Sequence, residues 1–233
     1  MTLYADSQHP VAPIIDGLHA DELASFAQTG TWGSAAQRSA VAALARKVRV
    51  TAGLQESAGD EALIDAAELP APVQRLVSEV ALGGIGIDRA FCDQAQANGV
   101  TEGAYVEIVA LVSRIVNLDI FARGLGVAPR PLLPPLSNDA PSFDRPDEAT
   151  DARFFTASVP LAPAGGALAE SIYGKGPVGN VFRALSLVPD EARRVVALTS
   201  HQNFQPGTLL DSKADKGHHL SRAQTELVAP NAP

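Results

Sequence analysis

Glu107 sits within Ala104-Tyr-Val-Glu-Ile-Val-Ala110, a carboxylate set into an otherwise apolar helical repeat. Such a group must be paired, protonated or turned toward a cavity, so it reads either as half of an ion pair with an arginine or as the remnant of a site. Arg114, two turns further along, is one partner within reach. Cys92 is the only cysteine, which excludes an internal disulfide, a Cys-x-x-Cys redox pair and a thiolate zinc site within one chain. No Lys or His lies near it in sequence to lower its pKa, so it reads as a small apolar residue. A one-cysteine peroxidase or redox sensor would need that neighbour from elsewhere in the fold. His201, beside Gln202 and Asn203, could orient a ligand but has no sequence-adjacent nucleophile. His218 and His219 are adjacent and cannot form an i, i+4 metal pair, so no metal or cofactor is expected. Asp21-Glu22 and Asp60-Glu61 read as helix starts, and His9 and His19 fall in a proline-punctuated leader.

The elements that must position these groups are legible as helices. Residues 34–52 repeat apolar positions at helical spacing behind Ser34 as N-cap, with Arg38, Arg46, Lys47 and Arg49 read as its solvated basic flank. Leu69-Pro-Ala-Pro72 opens a helix over 73–82, and Gly83-Gly-Ile-Gly86 ends it. A third spans 88–98. The strongest runs 103–124 behind Thr101, with an apolar stripe broader than one packing partner requires; this points to a bundle centre or a subunit interface, hence a homo-oligomer. Residues 127–163 hold eight of the seventeen prolines and form a linker or surface strap. Helical signals return at 178–187, 190–200 and from Ser221. The glycine run 173–179 lacks the order of a phosphate-binding loop.

Composition bounds the partners. Eighteen Lys and Arg against 26 Asp and Glu give a net charge of −8, the wrong sign for nucleic-acid or anionic-membrane binding. Met1–Pro10 carries neither the basic start nor the apolar stretch of a secretory signal, and the expected location is cytoplasmic. With 46% apolar residues but only 5% aromatic, the core must be built of Ala, Leu and Val, which suits close-packed helices.

An internal echo sets Ala104-Tyr-Val-Glu-Ile-Val-Ala110 beside Ala223-Gln-Thr-Glu-Leu-Val-Ala229, making Glu226 the counterpart of Glu107. With Leu69-Pro-Ala-Pro-Val-Gln-Arg-Leu and Asn180-Val-Phe-Arg-Ala-Leu-Ser-Leu-Val-Pro-Asp-Glu, these phrases resemble the alkylhydroperoxidase D and carboxymuconolactone decarboxylase-like superfamily over residues 35–229. The resemblance implies an all-α bundle: a leader (1–33), a first helical unit (34–126), a linker (127–177) and a partial second unit (178–233). It also implies hydroperoxide reduction by Cys-x-x-Cys-x-x-x-His, the first cysteine twelve positions after the glutamate. Laid on Glu107, that spacing gives Asp119, Ala122 and Gly126 in place of Cys, Cys and His; laid on Glu226, it runs past Pro233. Peroxidase activity is therefore expected to be lost or residual. The alternatives are a non-catalytic oligomerising or binding subunit and a cofactor-free lyase of the decarboxylase type. A small hydroperoxide or organic acid is the expected ligand, and Glu107, Glu226, Cys92 and His201 are the candidate site residues.

Overall fold

A computed structural model describes residues 2–59, 69–150, 153–174 and 178–202, and these form eight α-helices with no strand. They are α1 (Pro13–Phe26), α2 (Ala35–Thr51), α3 (Ala71–Ala81), α4 (Arg89–Ala97), α5 (Glu102–Gly124), α6 (Gly166–Tyr173), α7 (Asn180–Arg183) and α8 (Pro189–Gln202). The all-helical expectation holds. No helix among the described residues is long and apolar enough to cross a membrane.

Local chemistry explains the boundaries. Ser34 Oγ accepts from the Gln37 N–H while Gln37 Oε1 accepts from the Ser34 N–H, a reciprocal cap that starts α2. Asp88 caps α4 through the Phe91 N–H, and Thr101 caps α5 through the Ala104 N–H. Pro70 and Pro72 flank the first turn of α3, where a missing N–H costs nothing.

The long helix α5 lies against α1, α2, α3 and α8. Leu111, Val112, Ile115 and Ala122 are wholly enclosed, so the breadth of its apolar stripe is used largely inside the chain. Small residues on α2, Ala42, Ala43 and Ala45, are fully buried and let the helix axes approach closely. The proline-rich stretch runs over the surface of residues 27–31. Leu136 N–H donates to Ala27 O at 2.7 Å, Phe143 N–H donates to Thr31 O at 2.8 Å, and the Phe143 ring meets Trp32 edge-on at 5.7 Å.

Three local expectations are corrected. The stretch read as a leader contains α1, whose Leu23 and Phe26 belong to the core. The irregular region after Pro163 contains α6. The helix expected over 178–187 is only α7, because the chain turns at Ser186, whose hydroxyl donates to Arg183 O and accepts from Val159 N–H.

Candidate functional site

Four helices meet around a buried chain of charges. From α5, Glu107 is 2% exposed, and its carboxylate accepts from the Trp32 N–H (2.8 Å), the Gly33 N–H (3.2 Å) and Arg38 Nη1 (2.6 Å). Arg38, from α2, also donates from Nη1 to Glu191 Oε1 of α8 (2.9 Å) and from Nη2 to Ser25 O (3.2 Å). Arg114, from α5, pairs with both Glu22 of α1 and Glu191, and Arg194 reaches Glu22 at 3.1 Å. Three guanidinium groups thus face three carboxylates, and the cluster is neutral. Burial alone would raise the Glu191 carboxyl, but Arg114 and Arg38 outweigh it and hold it below the ordinary range. At Glu107 burial wins over Arg38, and the carboxyl is raised.

The basic flank expected of α2 is therefore half wrong. Arg38 and Arg46 are 3% and 1% exposed, and they lie eight residues apart on the inward face. The loop before α2 is shaped around Arg38 and its partner Glu107. A Cβ on Gly30 would strike the Arg38 guanidinium and the Glu107 carboxylate. Gly30→Ala is accordingly expected to lower stability by about 1–3 kcal/mol in urea unfolding. Gly17→Ala, in the middle of α1 with open space around it, should instead add about 0.5–1 kcal/mol.

A cavity of about 270 Å³ adjoins this cluster, with Val41, Ile108 and Leu111 as apolar wall and Trp32, Arg38 and Glu107 at one end. The Trp32 indole N–H and Arg38 Nε are buried without a hydrogen-bond partner.

The other sequence candidates lie apart. Cys92 is fully buried on α4, where its thiol donates to Tyr105 Oη at 3.1 Å, and burial pushes it up, away from the thiolate. Tyr105 and Glu107 are two residues apart on α5 and face roughly opposite sides, so thiol and carboxylate do not share a site. His201 is exposed in the last turn of α8, with Nδ1 2.8 Å from Ala197 O. Glu226, the helix expected from Ser221, and His218 and His219 lie outside the described residues. Among the described residues no group of three or more His, Cys, Asp and Glu is placed to hold a metal ion.

The positions where the sequence resemblance expects a reactive segment are occupied otherwise. Asp119 is buried and accepts from Arg46 Nε (2.9 Å), Arg46 Nη2 (2.8 Å) and Gln55 Nε2 (3.1 Å). Ala122 is fully buried, and Gly126 turns the chain with φ of 72°. Because α5 is continuous, twelve residues separate Glu107 from Asp119 by about 18 Å along the axis.

Sequence reasoning missed Glu22, Glu191 and His19. His19 is fully buried on α1, between Tyr4 Oη (2.7 Å from Nδ1) and Gln202 Nε2 (2.5 Å from Nε2), with Phe121 edge-on at 4.7 Å. The spacing of Ile15, His19, Glu22, Leu23 and Phe26 was the available signal. Searches against family models, curated proteins and solved structures find no match to this chain.

Proposed function

We propose that this chain is a non-catalytic, small-molecule-binding member of the alkylhydroperoxidase D-like group, with the bundle retained and thiol peroxidase chemistry absent. The observation carrying this reading is the commitment of the Glu107 carboxylate: three donors already hold it, and the nearest guanidinium is itself tied to Glu191. A proton relay needs a carboxylate free to exchange with a thiol or imidazole, and among the described residues neither stands beside it. The same three donors weigh against Glu107 as the general base of a cofactor-free lyase. The Arg46–Asp119 pair, standing where the resemblance puts the first reactive cysteine, supports the reading from the other end of α5.

The test is consumption of hydrogen peroxide and of an organic hydroperoxide with a dithiol reductant, by wild type and Cys92→Ser. Neither protein should exceed the rate of the reductant alone. Turnover by the wild type that disappears in Cys92→Ser would refute the proposal.

A further inference from the structure

The broad apolar stripe of α5 is not wholly consumed by its neighbours. Val106, Val109, Val112 and Val116 form one wall of a second cavity of about 700 Å³, within the range of small-molecule sites, about 300–1,000 Å³. Ile87, from the turn before α4, and Leu185 add to the apolar lining. The wall formed by residues 153–156 is tied down by Arg89, whose guanidinium donates to Phe154 O (2.9 Å) and Phe155 O (3.1 Å) and lies over the Phe155 ring at 5.0 Å.

Among the described residues, the charged side chains lining this cavity have one sign. Arg49, Arg89 and Arg153 line it, and among the described residues no Asp or Glu does. Arg49 is the informative one. It is half-buried at the end of α2, its Nε donates to Gln55 Oε1 and its Nη1 to Ala81 O, and among the described residues no carboxylate pairs with it. In a chain of net charge −8, a half-buried guanidinium whose hydrogen bonds go to neutral acceptors, with the Asp119 carboxylate acting on it only through space and through Gln55, is an unusual placement at the edge of an apolar trough. Burial lowers the pKa of Arg49 and outweighs the opposing pull of Asp119, and a further anion in direct contact would act in the same sense as Asp119.

We infer that the trough between α2, α3 and α5 binds a small amphipathic monoanion of the alkyl-carboxylate class, with its alkyl chain along the four valines of α5 and its carboxylate at Arg49. The inference rests on the binding reading above and names the ligand class. A neutral apolar molecule would leave Arg49 as it stands, and of the other two guanidinium groups in the lining Arg89 is already committed to Phe154 O and Phe155 O. The site is separate from the Glu107 cavity, since Tyr105 and Val106 line one and Glu107 and Ile108 the other.

The experiment is calorimetric titration of the full chain with decanoate, below its micellar concentration, and with decanol, on wild type, Arg49→Gln and Val109→Glu. Decanoate should saturate wild type one to one, weaken by about tenfold or more in Arg49→Gln, where the charge-assisted bond is lost, and fail with Val109→Glu. Decanol should bind wild type and Arg49→Gln alike. Absence of saturable decanoate binding, or equal affinity for wild type and Arg49→Gln, overturns the inference. So does a sedimentation result in which wild type is a dimer, Val109→Glu a monomer and neither binds decanoate, which would make the trough an interface between copies. Circular dichroism of both variants establishes that they fold. The two readings fail separately: decanoate binding by a chain that also consumes peroxide leaves the site standing and removes the non-catalytic reading, whereas an inert chain that ignores decanoate does the converse.

Discussion

Arg114→Ala is expected to lower the stability of the chain by about 3–5 kcal/mol, seen as a fall in the urea midpoint with unchanged slope. Arg114 is 1% exposed and joins Glu22 of α1 to Glu191 of α8 from the middle of α5. Its Nη1 also donates to Ser25 Oγ at 3.0 Å, and its guanidinium lies over the Phe26 ring at 5.0 Å. Truncation leaves two carboxylates enclosed with half their positive partners gone, and the large cost comes from that uncompensated burial rather than from the lost attraction alone. Arg145→Ala supplies the contrast. Its pair with Glu102 is half-exposed, and its loss should cost about 0–1 kcal/mol. A change at Arg114 no larger than that at Arg145 would mean that the cluster is open to water.

Mild acid is expected to destabilise the chain through His19. Burial lowers the pKa of this imidazole from 6.5 to about 4, against the opposing influence of Glu22 and Asp16. The unfolded chain therefore takes up the proton first as the pH falls. The stability His19 contributes is complete above about pH 6.5 and is lost progressively down to about pH 4, to a total of up to about 3 kcal/mol. The contacts fix the tautomer. Gln202 Nε2 donates to Nε2, so the imidazole proton sits on Nδ1 and is donated to Tyr4 Oη, and a second ring proton would meet the amide donor. Glu107 and Glu191 titrate as well, with opposite signs. The raised Glu107 favours the folded state as the pH falls toward its ordinary value, whereas the depressed Glu191 loses stability as the pH falls below about 4.5 through its folded pKa. Unfolding curves for wild type and His19→Gln between pH 4 and 7 separate these contributions. The difference between the two should shrink by up to about 3 kcal/mol toward pH 4, and a difference independent of pH would contradict the neutral, enclosed imidazole.

Much of the helical layout was legible because its determinants are local. Ser34, Asp88 and Thr101 announce α2, α4 and α5 in sequence, and each does cap its helix. Where reading failed, the missing information was tertiary. The inward stripe of α1 contains His19 and Glu22, so apolar periodicity alone hid the helix. On α2, Arg38 and Arg46 resemble a solvated flank until Glu107, Glu191 and Asp119 are brought to them from 69, 153 and 73 residues away. Glu107 was recognisable as a carboxylate in need of a partner. That the partner is Arg38 rather than Arg114, seven residues along the same helix, follows only from how α1 and α8 place Glu22 and Glu191 against Arg114.

Glu107 serves as a structural anchor, and the decisive measurement is a double-mutant cycle between Arg38 and Glu107. Urea unfolding of wild type, Arg38→Ala, Glu107→Ala and the double variant yields the coupling energy free of each residue's other contacts. A coupling of about 1.5–3 kcal/mol is expected, as for a buried hydrogen-bonded pair. A coupling below about 0.5 kcal/mol would mean that the carboxylate is not held by Arg38 and is free for another task.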